Sequence, residues 1–524
     1  MRMKLTNYVG GQWIAGAGTG QALVDPVLGT EIARASSEEI KFGAALDHAR
    51  AKGNPALRAL TFAERAALLS RIVDVLTANR SAYSEISLAN SGATEADTAF
   101  DVDGAIFTLK FYARAAAALG NARYLIDGGV TPLSKDKSFQ SLHPMFPIRG
   151  VAVLINAFNF PAWGLWEKAA PALLSGVPVF VKPATATAWL THRMVEDVIK
   201  AGVLPDGALS IICGGAGDLL NHVTADDVVS FTGSADTAAR IRTGEAVVRA
   251  SVRINVEADS LNATLMGPDV QTGAPEFDLL VNEVVREMTL KAGQKCTAIR
   301  RVLVPASQKD ALAEALASRL SGVAVGNPRN KDVRMGPLVN KAQQRAAQEG
   351  IAQLKREATV LYDGGTSFRP LDADPAVSAF VPPTLLLCKD PMHAQAVHDV
   401  EVFGPVATLL SYEDLNQALT LAHRGQGSLV VSVFSGDNKV IETAAFELAR
   451  THGRVLAVNA GVGRAHTGHG NVVPMSLHGG PGRAGGGEEL GGLRALMFYH
   501  RRVAIQGSED LVKALAADGV ELHY

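Results

Sequence analysis

The chain has 524 residues, 47% hydrophobic and 19% charged, with 51 Gly and 23 Pro, a composition of a folded α/β enzyme that excludes disordered and collagen-like chains. Lys+Arg total 50 against 52 Asp+Glu, and the net charge of −2 excludes a broad electrostatic footprint for nucleic acid or an anionic membrane, leaving only a local basic patch open. At roughly 150 residues per unit, the length predicts three or four domain-sized units. Cys213, Cys296 and Cys388 are too few for a disulfide framework and odd in number, which predicts a free thiol and a reducing, cytoplasmic setting. Met1-Arg2-Met3-Lys4-Leu5-Thr6-Asn7-Tyr8 opens no uninterrupted apolar stretch, and no run of about 18 apolar residues occurs, so a soluble, untargeted protein is expected.

In chain order, Thr61-Phe-Ala-Glu64 is a capping-box signature ahead of Leu68, Leu69, Ile72, Val73 and Leu76 at helical spacing, which predicts a helix. Val151-Ala-Val-Leu-Ile155, Val177-Pro-Val-Phe-Val181 and Val228-Val-Ser-Phe231 read as strands separated by segments long enough for crossover helices, hence a parallel, helix-covered sheet. A second α/β series follows residue 260: Val302-Leu-Val304, a helix carrying Leu312, Leu316 and Leu320, and the strand Leu429-Val-Val-Ser-Val-Phe434. Residues 460–492 are rich in Gly and His and read as a loop lining a site or as a surface loop. Residues 508–520 carry weak helical periodicity.

Candidate chemistry starts at Gly293-Gln-Lys-Cys296, where Lys291, Lys295, Arg300 and Arg301 make a basic neighbourhood that favours a thiolate; buried packing is the commoner fate of such a cysteine. Glu257, in Asn255-Val-Glu257-Ala-Asp259, can serve as a general base if a desolvated site raises its pKa, or is a solvated surface carboxylate. Asn159 sits after a strand in Asn156-Ala-Phe-Asn159-Phe-Pro161, placed either to donate to an oxyanion or simply to form a turn. Lys182-Pro183 closes another strand at the same end of the sheet, where ligands bind in such folds. Gly214-Gly-Ala-Gly217 and Phe231-Thr-Gly-Ser234 suit a backbone approaching a pyrophosphate at a helix N-terminus, and tight turns explain them equally well.

Taken in order, Phe158-Asn-Phe-Pro161, Lys182-Pro183, Phe231-Thr-Gly-Ser234, Glu257, Gly293-Gln-Lys-Cys296, Met335-Gly-Pro-Leu338 and Glu401-Val-Phe-Gly-Pro405 resemble the aldehyde dehydrogenase superfamily over nearly the whole chain. The resemblance implies an α/β fold with a Rossmann-like nucleotide-binding domain (1–134 and 157–260), a catalytic domain (261–463) and an active-site-lining segment (464–485). A small oligomerisation arm with the C-terminal tail (135–156 and 486–524) would make a homodimer or tetramer. It also implies that Cys296 attacks the aldehyde, that Asn159 and the Cys296 N–H hold the oxyanion, and that Glu257 activates the hydrolytic water, with Lys168 and Glu489 paired near the water path. Lys182 falls to the adenosine ribose, Gly215, Gly217, Phe231, Gly233 and Ser234 to the pyrophosphate turns, and Glu401 and Phe403 to the nicotinamide ribose and ring.

The departures sharpen the expectation. In Lys182-Pro-Ala-Thr185, Thr185 stands where NAD-preferring relatives often place a Glu that would repel a 2′-phosphate, so NADP is expected over NAD, with Lys182 and Thr185 near the phosphate. Ala258-Asp259-Ser260 replaces a glycine pair, and Ala238 the last glycine of the phosphate turn. With Ile212-Cys-Gly-Gly-Ala-Gly-Asp218 and Ala465-His-Thr-Gly-His-Gly470, these resemble the branch that handles ring-cleavage semialdehydes in aerobic phenylacetyl-CoA and benzoyl-CoA breakdown. For such a CoA-linked substrate Arg464, Arg483, Arg501 and Arg502 are candidate phosphate contacts, each also explained as solvated charge.

Three other readings fit parts of the sequence. A CoA-acylating aldehyde dehydrogenase generally lacks the base that Glu257 supplies. A cysteine hydrolase would pair Cys296 with one of 13 His that no spacing singles out. A non-catalytic relative would be expected to lose Cys296, Glu257 or Asn159. His466, His469 and His500 show no tight ligand spacing, so no metal is expected.

Overall fold

Thr61 caps the helix Phe62–Ala78: its hydroxyl accepts from the Glu64 N–H at 3.2 Å and its own N–H donates to the Glu64 carboxylate at 2.7 Å, the reciprocal box read from the sequence. The computed structural model describes residues 3–365 and 368–522; Met1 and Arg2 of the expected N-terminal segment, and residues 523–524 of the tail, lie outside the described residues.

Among the described residues the chain builds two seven-stranded sheets. The first uses β1 (Asn7–Val9), β2 (Gln12–Ile14), β3 (Ala152–Ile155), β4 (Val179–Lys182), β5 (Leu209–Ile211), β6 (Val228–Thr232) and β7 (Arg253–Glu257) in the order β7-β6-β3-β4-β5-β1-β2. Strands β3 to β7 run parallel, and only the N-terminal hairpin joins antiparallel. The register Thr232↔Glu257 and Ile155↔Lys182 sets the C-terminal ends of four strands side by side. That edge of a parallel sheet is where a crevice forms and ligands bind.

The second sheet contains β8 (Ala263–Met266), β9 (Arg301–Pro305), β10 (Ala358–Tyr362), β11 (Thr384–Cys388), β12 (Val406–Tyr412), β13 (Ser428–Phe434) and β14 (His452–Val458), ordered β10-β11-β12-β9-β8-β13-β14. Its helix Lys309–Ser321 buries Leu312, Leu316 and Leu320, as their spacing predicts. Separate apolar clusters lie beneath the two sheets, one built around Trp166, Leu173 and Val181, the other around Leu265, Leu303 and Val431.

A third element, the hairpin β15 (Leu477–Gly479) and β16 (Glu488–Leu490), arises from the Gly- and His-rich segment. Outlying strands Phe139–Leu142 and Pro144–Pro147 pair antiparallel with Ile505–Ser508 and His500–Arg502. The segment 135–156 expected for the arm is therefore too long: Ala152–Ile155 is the central β3 of the first sheet, hydrogen-bonded on both sides, because its four apolar residues need two faces of helix cover. Residues 509–518 form the terminal helix Glu509–Asp518. No helix among the described residues is long and apolar enough to cross a membrane.

Candidate active site

The nucleophile candidate sits on a strained turn. Lys291, Ala292 and Gly293 are consecutive left-handed residues, with φ of 53°, 51° and 69°, between the helix Pro275–Thr289 and Cys296. A non-glycine residue in this region costs about 1–3 kcal/mol and persists only where its surroundings hold it. Here the Lys291 N–H donates to Asp97 at 2.6 Å, and a Cβ on Gly293 would lie 2.2 Å from the Gly404 carbonyl oxygen. Asn262 fixes the far side, its amide donating to the Cys296 carbonyl at 2.7 Å and the Ala298 carbonyl at 3.1 Å.

Cys296 stands where three spaces meet. It borders a cleft of about 690 Å³ whose walls include Lys182, Phe231, Gly233, Ser234, Glu401 and Phe403. It also borders a small pocket of about 40 Å³ lined by Phe100, Phe160, Trp163 and Val472. The third space, about 20 Å³, is lined by Asn156, Asn159, Glu167, Thr232 and Glu257, and is large enough and polar enough for one water.

The expected basic neighbourhood is mostly engaged elsewhere, and of its four cations Arg300 keeps an electrostatic interaction with the thiol. Lys295 is buried against Glu287 at 2.6 Å, Lys291 lies over the Phe160 ring, and Arg300 and Arg301 donate to backbone carbonyls. Burial, and then the Glu257 carboxylate, instead push the Cys296 thiol well above its ordinary value. The thiol is therefore neutral and faces a carboxylate.

Glu257 ends β7, fully buried, and the sequence expectation of a raised pKa is overturned. Burial alone would raise it, but His478 outweighs that with help from Lys168, holding Glu257 down at about 2. His478 Nε2 lies 2.9 Å from Glu257 Oε2, both side chains buried. His478, which the sequence does not single out, is the residue the structure brings to Glu257. It falls within the Gly- and His-rich segment, where no periodicity distinguishes it from His466, His469 and His500. Those three are otherwise engaged: His466 Nδ1 accepts from the Gly468 N–H at 3.1 Å, His469 Nδ1 lies 2.8 Å from the Ser432 hydroxyl, and His500 Nδ1 lies 2.7 Å from the Leu496 carbonyl.

Lys168 and Glu489 come together at 3.0 Å, and Glu167 completes the cluster by pairing with the same ammonium. Burial pushes Glu167 up; it would lower Lys168, but the carboxylates of Glu167 and Glu489 outweigh it. Glu489 is anchored further by the Asn255 amide at 2.7 Å and the Ser230 hydroxyl at 2.9 Å.

In the large cleft Ser234 caps the helix Ala235–Arg242, and the Gly233 N–H donates to the Glu257 carbonyl at 3.1 Å, tying the phosphate-type turn to the base. Asp259, from the departure after the base, accepts from the Ala235 N–H at 3.1 Å at the same helix N-terminus. Lys182 lines the cleft, its ammonium lowered by burial. Glu401 is pushed up to about 7 by burial, Arg300 only partly offsetting it, and its Oε1 has no hydrogen-bond partner among the described residues. Gly215, Gly217 and Thr185 are set back. Ala216 and Ala184 are the wall residues at those points, while the Thr185 hydroxyl donates to the Gly214 carbonyl at 3.2 Å and Gly217 packs on Phe42.

A model of the aldehyde dehydrogenase family matches residues 13–504. The chain belongs to the aldehyde dehydrogenase family. It is an oxidoreductase, similar to 3,4-dehydroadipyl-CoA semialdehyde dehydrogenase of Aromatoleum evansii, with 62% identity over 479 residues, 91% of this chain and 93% of that protein. Among solved structures, the betaine aldehyde dehydrogenase of Staphylococcus aureus in complex with NAD+ is 25% identical, with a TM-score of 0.84 over 96% of this chain and 95% of that one. The NAD+ complex of an aldehyde dehydrogenase from Bacillus cereus, at 22% identity and TM-score 0.83 over 97% of each chain, shares the fold.

Proposed function

We propose that the protein oxidises a CoA-linked semialdehyde from aromatic ring cleavage, such as 3,4-dehydroadipyl-CoA semialdehyde, to the carboxylic acid with NADP. The observation that carries the reading is the position of Cys296 between a pocket lined by aromatic rings, which we read as the end of a substrate tunnel, a dinucleotide-sized cleft and a water-sized cavity bordered by Glu257. An aldehyde entering by the tunnel meets the sulfur, and Glu257 takes the thiol proton as the C–S bond forms. The Asn159 amide and the Cys296 N–H stabilise the resulting oxyanion. The cleft fits a nicotinamide dinucleotide: Lys182 and the Ser234 turn suit the adenosine and pyrophosphate end, and the unpartnered Glu401 Oε1 suits a ribose hydroxyl. When bound, the cofactor supplies the hydride acceptor. Glu257 then accepts a proton from water in the small cavity as that water attacks the Cys296 thioester, releasing acid and thiol. Lys168, Glu167 and Glu489 lie behind the base as the route for its proton.

Thr185, carrying no charge, leaves room for a 2′-phosphate near Lys182, which supports NADP. Of the four arginines considered for CoA, Arg464 is retained because it lies exposed on the segment that reaches the tunnel at Gly470 and Val472. Arg483 faces the cofactor cleft, Arg501 donates to the Ala225 carbonyl, and Arg502 pairs with Asp127 at 2.7 Å. The paired outlying strands supply an arm for a homodimer or tetramer, in a cytoplasmic enzyme. The test compares NADPH and NADH formation from a CoA-linked semialdehyde and a simple aliphatic aldehyde, with and without free CoA. NADPH formation favouring the CoA-linked substrate and needing no free CoA is expected; a requirement for free CoA would transfer the enzyme to the acylating class.

A further inference from the structure

Behind the base, His478 makes a contact that the reaction as described does not use. The strand β15 places it directly opposite Glu489 of β16, in the register His478↔Glu489. One hairpin thus delivers a side chain to each flank of Glu257, Glu489 to Lys168 and His478 to the base itself. The hairpin cannot slip: a Cβ on Gly479 would lie 2.0 Å from the Gly487 carbonyl oxygen, and one on Gly453 in β14 would lie 1.8 Å from that of Gly479. The imidazole is fixed from the other side by the Trp163 indole, ring centroids 5.8 Å apart at 62°. Glu257 Oε1 has no hydrogen-bond partner among the described residues, and His478 Nε2 meets Oε2 at ion-pair distance, without hydrogen-bond geometry. Ligating atoms of Glu257, Cys296 and His478 all lie within 4.8 Å of one another.

We propose that His478 is a positioning residue for the general base: it holds one oxygen of the Glu257 carboxylate so that the other is presented to Cys296 and to the hydrolytic water. Two buried oxygens of one carboxylate are otherwise equivalent, and a base whose plane rotates loses the near-attack geometry on which its contribution depends. The contact has an electrostatic consequence. Glu257 faces His478 from β15, Lys168 and Glu167 from the helix Trp163–Leu174, Cys296 from its turn and Glu489 from β16. Burial and the neighbouring carboxylates disfavour its charge, whereas His478 and Lys168 favour it. Removing His478 leaves on the favourable side Lys168, shared with Glu167 and Glu489, and the Cys296 thiol, so Glu257 should protonate at a higher pH.

The inference rests on the reading of Glu257 as hydrolytic base, and an ester assay separates the two. 4-Nitrophenyl acetate acylates the thiol: the C–S bond forms, nitrophenolate leaves with the electron pair of the broken C–O bond, and water then hydrolyses the acetyl thioester to acetate. No aldehyde or cofactor is needed. The burst reports acylation and the steady state reports deacylation, followed from about pH 6 to about pH 9 across the ordinary histidine range. Full-length wild type, His478→Phe and His478→Gln are compared, with Glu257→Gln as the reference for a lost base.

With Glu257 held at about 2, the wild-type acid limb lies below the assayed range; in His478→Phe it should rise by up to about 5 pH units into that range, so that the rate at about pH 6 falls about tenfold and recovers toward pH 9. His478→Gln, which keeps an N–H donor on a shorter side chain, should fall between the two. An acid limb unmoved in both variants would overturn the proposal, as would a loss that is equal at every pH and in both phases, the mark of a merely structural role. If Glu257→Gln deacylates like wild type, the base assignment fails instead, whatever the His478 variants do.

Discussion

Replacing Glu257 by Gln removes the base while keeping the shape of the side chain, and it separates the two halves of the proposed reaction. The carboxylate borders both the thiol and the water-sized cavity, but the halves need it differently. Thiol deprotonation can be recovered from solvent by raising the pH, since the cleft reaches Cys296. Water attack in a cavity of about 20 Å³ has no comparable substitute, because the other carboxylate lining it, Glu167, is pushed up by burial and already paired with Lys168. Positioned general bases contribute about 10²–10⁴-fold, or about 2.7–5.4 kcal/mol of barrier. Rapid mixing of enzyme, cofactor and aldehyde should therefore give a burst near one reduced cofactor per site, slower than wild type at neutral pH, followed by turnover reduced by about 10²–10⁴-fold. Turnover within about threefold of wild type, or a burst amplitude lost in proportion to turnover, would refute the reasoning.

Asn159→Ala should lower the burst rate by about 10²–10³-fold with little change in cofactor binding, read in the same mixing experiment. Thr185→Glu should weaken NADP more than NAD by about tenfold or more, measured by cofactor titration, because a carboxylate there meets the 2′-phosphate. Arg65 is fully buried and donates to the carbonyls of Leu57, Leu60 and Leu174, so Arg65→Leu should cost about 3 kcal/mol or more in denaturant unfolding through unsatisfied acceptors. Burial lowers His452 and His500 to about 3 and His398 to about 4. Between pH 6.5 and those values the unfolded chain binds protons that the folded one refuses, so stability should fall on acidification by up to about 1.4 kcal/mol per pH unit per histidine. Thermal melts of wild type against His500→Gln across that window check the slope.

The parallel strands of the first sheet were legible because fully buried strands are short apolar runs, and Val151 to Ile155 has no polar interruption. The ordered motifs likewise pointed to Cys296, Glu257 and Asn159. What local sequence could not reveal was which charges had partners. The cations around Cys296 look activating in one dimension, yet Lys295 is consumed by Glu287, and Arg300 is shared among backbone carbonyls, Glu401 and the thiol. Glu257 looked like a base waiting to be raised by burial; its actual partner, His478, is brought in by a hairpin whose pairing no periodicity marks. Thr185 and the Gly214-Gly-Ala-Gly217 loop are expected near the cofactor phosphates; Ala184 and Ala216 line the cleft there, while left-handed Gly214 and Gly217 close against Ser37 and Phe42.

The most direct test of hydrolytic oxidation at Cys296 is one turnover of a CoA-linked semialdehyde with NADP in H₂¹⁸O without free CoA, the product carboxylate being analysed by mass spectrometry. One ¹⁸O atom in the new carboxylate, with the label lost together with turnover in Cys296→Ala, is the predicted result. An enzyme that stalls after the burst until free CoA is added, releasing an unlabelled thioester, would contradict it.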